Sequence, residues 1–214
     1  MQLLNKRLML SIFLTFMSVQ INAQKSDQHL LPTSHYFVKH QMTVSAAFTK
    51  MPLKSFHPNI LEGNMIKGVD IKVLYGINGW LELGTACNVS LLKRTNVQFP
   101  DQENPSVFHK TIIDAPIYQG YIGETAKVHL LSIFWPCFTM ADIFVSGFAG
   151  GYYGYIPMWS KSKLGLIIQG GIGLGFNPSR NWGCVFEYGI NNQTKTQMTF
   201  GLNIRFGGPK KWQR

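Results

Sequence analysis

Six charged residues fall at alternating positions within apolar-polar patterned segments: Asp70, Lys72, Glu82, Lys127, Glu187 and Arg205. Their companions on the same side of each pattern are Gly, Thr, Asn and Gln, so they belong to a polar face. Three acids oppose three bases, and the chemistry open to such a set is mutual ion pairing in an enclosed interior. A tight turn at Gly76-Ile77-Asn78-Gly79 is expected to bring Lys72 near Glu82. A second set, Ser106, His109 and Asp114, holds the residue types of a nucleophile, a base and an orienting carboxylate within one polar stretch. His129 and Ser132 are three residues apart, which in a strand puts them on opposite faces. His29, His35 and His40 are irregularly spaced, and Cys87, Cys137 and Cys184 are far apart with no CxxC pairing, so neither a metal site nor a disulfide framework is expected. Gly170-Gly171-Ile172-Gly173-Leu174-Gly175 opens no helix and fails the context that a nucleotide-binding loop requires. No cofactor is expected.

The elements that must carry these residues are strands. Met198, Phe200, Leu202, Ile204 and Phe206 alternate with Thr199, Gly201, Asn203 and Arg205. Leu164, Leu166, Ile168, Ile172, Leu174 and Phe176 alternate with Gly165, Gln169, Gly171, Gly173 and Gly175. The same period of two runs through 40–48, 69–75, 80–91, 125–130 and 182–190. The segment 144–155 reads as a strand with aromatics on both faces, so its facing stays open. About eight strands result, each about 8 to 14 residues long. Their connections run long (49–67), short (76–79), long (93–120) and moderate (135–142), and then three short ones follow (156–162, Asn-Pro-Ser-Arg-Asn at 177–181, and 191–196). No helical period intervenes, which excludes a parallel βαβ architecture and leaves up-and-down antiparallel order.

Composition agrees. Charged residues make up 14% of the 214-residue chain against roughly 25% in soluble domains, while 21 glycines and 13% aromatics fill the gap at a mean hydropathy of +0.02. That content excludes disorder, and no segment after the N-terminus offers the ~20 apolar residues of a spanning helix. Lys6 and Arg7 precede a short apolar run, 8–19, and Ile21-Asn22-Ala23 supplies a small residue for cleavage, so 1–23 reads as a signal peptide. Its removal takes two of the 20 basic residues and no acid, lowering the formal charge from +10 to +8. The remaining cations are scattered without a basic stripe, which speaks against nucleic acid and leaves solubilising loop charges, or else attraction to anionic lipid or glycan.

Which face is apolar separates a membrane barrel from a soluble one. One face is continuous Leu, Ile, Val and Phe, whereas the other is too poor in charge for a water-exposed exterior but suits the filling of a narrow lumen. Tyr75, Trp80, Trp135, Phe176 and Trp182 lie near the short connections, and Tyr152, Tyr153, Tyr155 and Trp159 lie towards the other end, as two interfacial belts would.

The signal peptide, the alternating strands and the final strand Thr-Phe-Gly-Leu-Asn-Ile-Arg-Phe resemble the small bacterial outer-membrane β-barrel proteins, the porin-family or outer-membrane β-barrel domain type. The resemblance implies an all-β, eight-stranded antiparallel transmembrane barrel over 40–206. A periplasmic segment (24–39) would precede it and a periplasmic tail (207–214) would follow. It also implies that Phe200, Leu202, Ile204 and Phe206 form the terminal strand read by the barrel-assembly machinery, although eight residues follow Phe206. Location in the outer membrane, contact with outer-membrane lipid and a non-enzymatic structural, adhesive or envelope-assembly role follow. An envelope protein or glycan partner would be held by loops 49–67 and 93–120. The alternatives are a lipid-modifying enzyme of the same architecture, built on Ser106, His109 and Asp114, and a secreted soluble barrel with an apolar ligand.

Overall fold

A computed structural model of the chain describes residues 41–53, 58–61, 64–101, 106–134, 141–178 and 181–207. The expected signal peptide, the segment 24–39, the residues after Gly207, and Trp135, Cys137, His29, His35 and His40 lie outside the described residues. Ten strands form: β1 (Gln41–Pro52), β2 (Met65–Gly76), β3 (Leu81–Leu92), β4 (Thr95–Pro100), β5 (Phe108–Ile113), β6 (Ile117–His129), β7 (Ala141–Ile156), β8 (Lys161–Phe176), β9 (Trp182–Asn191) and β10 (Lys195–Gly207). Eight of them close an antiparallel barrel in the order β1-β10-β9-β8-β7-β6-β3-β2, and β4 with β5 forms a separate hairpin.

Local chemistry sets the turns. Asn78 accepts hydrogen bonds on its Oδ1 from the Trp80 and Leu81 amides, at 3.0 and 2.8 Å, which folds 76–81 into a tight reversal. Asn191 does the same for the amides of Gln193 and Thr194 between β9 and β10. Following paired residues from Val44 through Val73, Thr85, Glu124, Ala149 and Ile168 and on around the ring returns to β1 displaced by about ten residues. At ~3.3 Å per residue and ~4.7 Å between eight strands, that stagger tilts the strands by about 40° and gives a backbone radius of about 8 Å. A twelve-residue strand then spans about 30 Å along the axis, the thickness of a bilayer's hydrocarbon.

The faces sort as a membrane barrel requires. Phe48 and Leu164 stand outward, 77% and 78% exposed, with Val73, Leu83, Val145, Ile172, Leu174, Phe186, Leu202 and Ile204 on the same outer surface. Glu82 and Glu187 are 1% and 3% exposed inside. This polar interior beneath an apolar exterior reverses a soluble ligand-binding barrel. The terminal-strand residues Phe200, Leu202, Ile204 and Phe206 all face outward. One outward position breaks the pattern: Glu124, mid-strand in β6, lies between Thr85 and Ala149 and makes no hydrogen bond or ion pair among the described residues.

Several expectations are revised. The stretch 93–120 is not one open loop. It contains the β4–β5 hairpin, and its last residues already belong to β6. Residues 49–67 shrink likewise to 53–64, because β1 runs to Pro52 and β2 starts at Met65. The facing of β7 is settled: Phe144, Phe148, Tyr152 and Ile156 point inward and Val145 and Tyr153 outward. Tyr152 therefore leaves the aromatic belt for the lumen, and Tyr118, Tyr153 and Tyr155 form the loop-side belt, the last two stacked at 6.5 Å. Opposite, Tyr75, Trp80, Trp182 and Phe206 are exposed around the turn-side rim. A short helix (Leu130–Phe134) and a 3-10 turn (Pro157–Trp159) complete the described elements.

Candidate functional site

The lumen and the loop-side platform are the two places where this chain assembles polar or accessible chemistry. In the lumen one hydrogen-bonded chain joins five strands. Gln197 on β10 donates to the Tyr121 hydroxyl at 2.7 Å, and Tyr121 on β6 donates to Asp70 on β2 at 3.0 Å. Lys72 lies 3.5 Å from Asp70 and reaches across to Glu187 on β9 at 2.7 Å, where Ser146 on β7 also donates at 2.6 Å. All of these side chains are buried, so the ammonium and the two carboxylates depend on each other rather than on water.

A second group lies nearer the turns. Thr43 on β1 donates to Glu82 on β3 at 2.7 Å, and His129 on β6 sits between Glu82, 3.1 Å from its Nε2, and Asp142 on β7, against its Nδ1. Lys127 holds its ammonium 4.3 Å over the Phe144 ring, a cation–π contact. The ring also lies against Gly173, its cross-strand partner; a Cβ there would come 2.1 Å from the ring. Arg205 donates to Asn177 at 2.7 Å.

The expected lumen residues are thus distributed: Asp70, Lys72 and Glu187 share one network, Glu82 belongs to the other, and Lys127 and Arg205 engage Phe144 and Asn177. The anticipated Lys72–Glu82 approach does not occur. Glu82 stands opposite Gly76 in the register and Lys72 opposite Ala86, four positions along, so Lys72 crosses the narrow lumen to Glu187 instead. Sequence reasoning weighed His129 against Ser132 rather than with the lumen charges, and it missed Tyr121, Asp142 and Gln197. Parity could have found Asp142, which shares its face with Phe144 and Ser146. The glycines at 171, 173 and 175 serve this interior by making room for facing side chains.

Above the networks the interior turns apolar. Met51, Ile66, Ala86, Tyr121, Phe148, Tyr152 and Ile167 pack into one cluster. At the loop-side ends of the strands Leu53, Ile60, Val97, Ile117 and Ile156 form another, with Phe99, Ile113 and Trp159 against it. That second cluster seats the β4–β5 hairpin. Ile60 bridges Val97, Leu61 donates to Asn96 at 3.0 Å and Gln98 to Asn59 at 2.8 Å, so the β1–β2 connection adds an edge to β4. Asn64 locks the junction, accepting from the Asn96 amide at 3.0 Å and donating to the Leu61 and Asn96 carbonyls. The described parts of the two long loops therefore form one platform. Its outer strand, β5, exposes Phe108, His109, Lys110, Thr111 and Ile112.

The Ser106, His109 and Asp114 set is divided. His109 pairs through Nε2 with Asp101 at 2.6 Å, whereas Asp114 pairs with Arg94 at 3.1 Å in an exposed contact. His129 ends β6 deep in the interior, and Ser132 lies in the short helix beyond it.

No protein-family model matches the chain, and no curated protein matches it in sequence. Solved structures do. The outer membrane protein OprG from Pseudomonas aeruginosa aligns over 81% of this chain and 99% of its own, with a TM-score of 0.57 at 6% identity. Neisserial surface protein A aligns over 78% of this chain and 98% of its own, with a TM-score of 0.50 at 10% identity. The attachment invasion locus protein of Yersinia pestis aligns over 78% and 99%, at 0.47 and 16%. At such identities the first two establish the fold: this chain has the closed eight-stranded architecture of bacterial outer-membrane β-barrels.

Proposed function

We propose that the chain is a non-enzymatic barrel of the bacterial outer membrane, with a structural or adhesive role, that presents the β4–β5 platform outside the cell to an anionic envelope or extracellular partner. The observation that carries this reading is the packed interior. Ion pairs fill the lumen and two apolar clusters fill its loop-side half, so a solute path has no room and the platform is the built surface left for recognition. Charge supports an anionic partner. Among the described residues, Lys93, Arg94, Lys110, Lys161 and Lys195 lie at the loop-side end, where Asp101 pairs with His109 and Asp114 with Arg94. Apolar Phe108 and Ile112 would supply the contact area that charge alone lacks.

The test replaces 96–112 by a short glycine-containing turn in cells that carry the chain in the outer membrane, then measures retention of those cells on immobilised sulfated glycan. Retention that falls to background while the barrel still shows its folded gel mobility supports the reading. Unchanged retention refutes the platform's role.

A further inference from the structure

Lys50 on β1 and Lys67 on β2 are direct cross-strand partners with both side chains exposed on the outer surface. Like charges placed directly opposite, with Cβ atoms about 5 Å apart, destabilise a sheet. Nothing on the surrounding strands relieves them: the other partner of Lys50 is Met198, that of Lys67 is Leu91, and exposed Lys93 follows two residues after Leu91. Among the described residues neither lysine has a hydrogen bond or an ion pair.

Depth gives the pair a meaning. One outward step towards the barrel's middle stand Phe48 and Val69, both on the apolar belt, and two residues in the other direction β1 ends and β2 begins. The lysine stems can therefore lie along apolar surface while the ammonium groups reach the headgroup layer on the loop side. Two point charges side by side at that level suit an anion with several acceptor oxygens.

We infer that Lys50 and Lys67 form a binding site for the phosphate group of an outer-leaflet lipid headgroup, an inference that rests on the membrane placement proposed above. The phosphate bridges the two ammonium groups and removes their repulsion, so one lipid is held next to β1 and β2. At the strength of a lysine near an anionic membrane surface, each contributes roughly fivefold to affinity and the pair about 30-fold.

The full chain is inserted into phosphatidylcholine vesicles, with insertion scored by heat-dependent gel mobility. Failure at this step overturns the membrane placement and, with it, the lipid site; the outcomes below bear on the site alone. Nitroxide-labelled phosphatidic acid and phosphatidylcholine are then compared for retention on the inserted protein by spin-label spectroscopy. The expected result is preferential retention of phosphatidic acid that drops about 30-fold in K50Q/K67Q and persists in K50R/K67R. Equal retention in K50Q/K67Q overturns the site. Displacement of phosphatidic acid by added inorganic phosphate overturns the lipid as its source and assigns the pair to a free anion.

Discussion

Replacing Lys72 with methionine should cost about 3–5 kcal/mol of folding free energy, the range for stranding a buried charge. Lys72 lies 2.7 Å from Glu187 and 3.5 Å from Asp70 inside the lumen. At an effective dielectric of about 20, attraction at the shorter distance alone is about 6 kcal/mol, and desolvation of the ammonium offsets part of it. After substitution each carboxylate keeps one neutral donor, Ser146 for Glu187 and Tyr121 for Asp70; Asp70 loses its cation, and Glu187 keeps only the longer-range attraction of Lys127. Removing Glu187's charge as well, in K72M/E187Q, should restore all but about 1–2 kcal/mol. The assay is guanidinium unfolding of vesicle-inserted protein, followed by tryptophan fluorescence and gel mobility. A loss below about 1 kcal/mol for K72M, the worth of an exposed pair, would refute the reasoning, because it would mean that water reaches these groups.

Three further outcomes follow from the same structure. Leu202→Arg, outward and mid-strand, should cost roughly 2–4 kcal/mol in vesicles by the same titration, whereas a soluble barrel would tolerate it. Gly173→Val should cost about 1–3 kcal/mol through collision with the Phe144 ring, and adding Phe144→Leu should recover part of it; equal losses in the single and double variants would contradict that packing. Glu124→Leu should stabilise the inserted barrel by about 1 kcal/mol by removing an unpartnered carboxyl from the apolar belt, and a destabilised variant would show that Glu124 has a partner there.

The outward and inward sets were legible wherever alternation was clean. In β10, Phe200 and Leu202 against Gly201 and Asn203 leave one arrangement, and period two carries it without tertiary information. β7 resisted because Phe144 and Phe148 are as apolar as Val145 and Tyr153; the room that admits the Phe144 ring inside comes from Gly173 on the neighbouring strand. The hairpin was hidden for a related reason. Its strands are six residues long, β5 is exposed until its last residue, Ile113, and Val97 gains its burial from Ile60 and Ile117, distant in sequence. Ion-pair partners were illegible because they depend on closure: the route from Lys72 to Glu187 exists once β1 joins β10, and no local turn encodes it.

In the proposed arrangement the barrel spans the outer membrane with the β4–β5 platform outside and the 77–80 turn within the periplasm. The measurement that tests it most directly is thiol labelling of intact cells with a membrane-impermeant maleimide, in a chain whose three native cysteines are replaced by serine. Thr111→Cys on β5 should label in intact cells, and Asn78→Cys should label once the outer membrane is permeabilised. Labelling of Asn78→Cys in intact cells, or protection of Thr111→Cys until permeabilisation, would contradict the account.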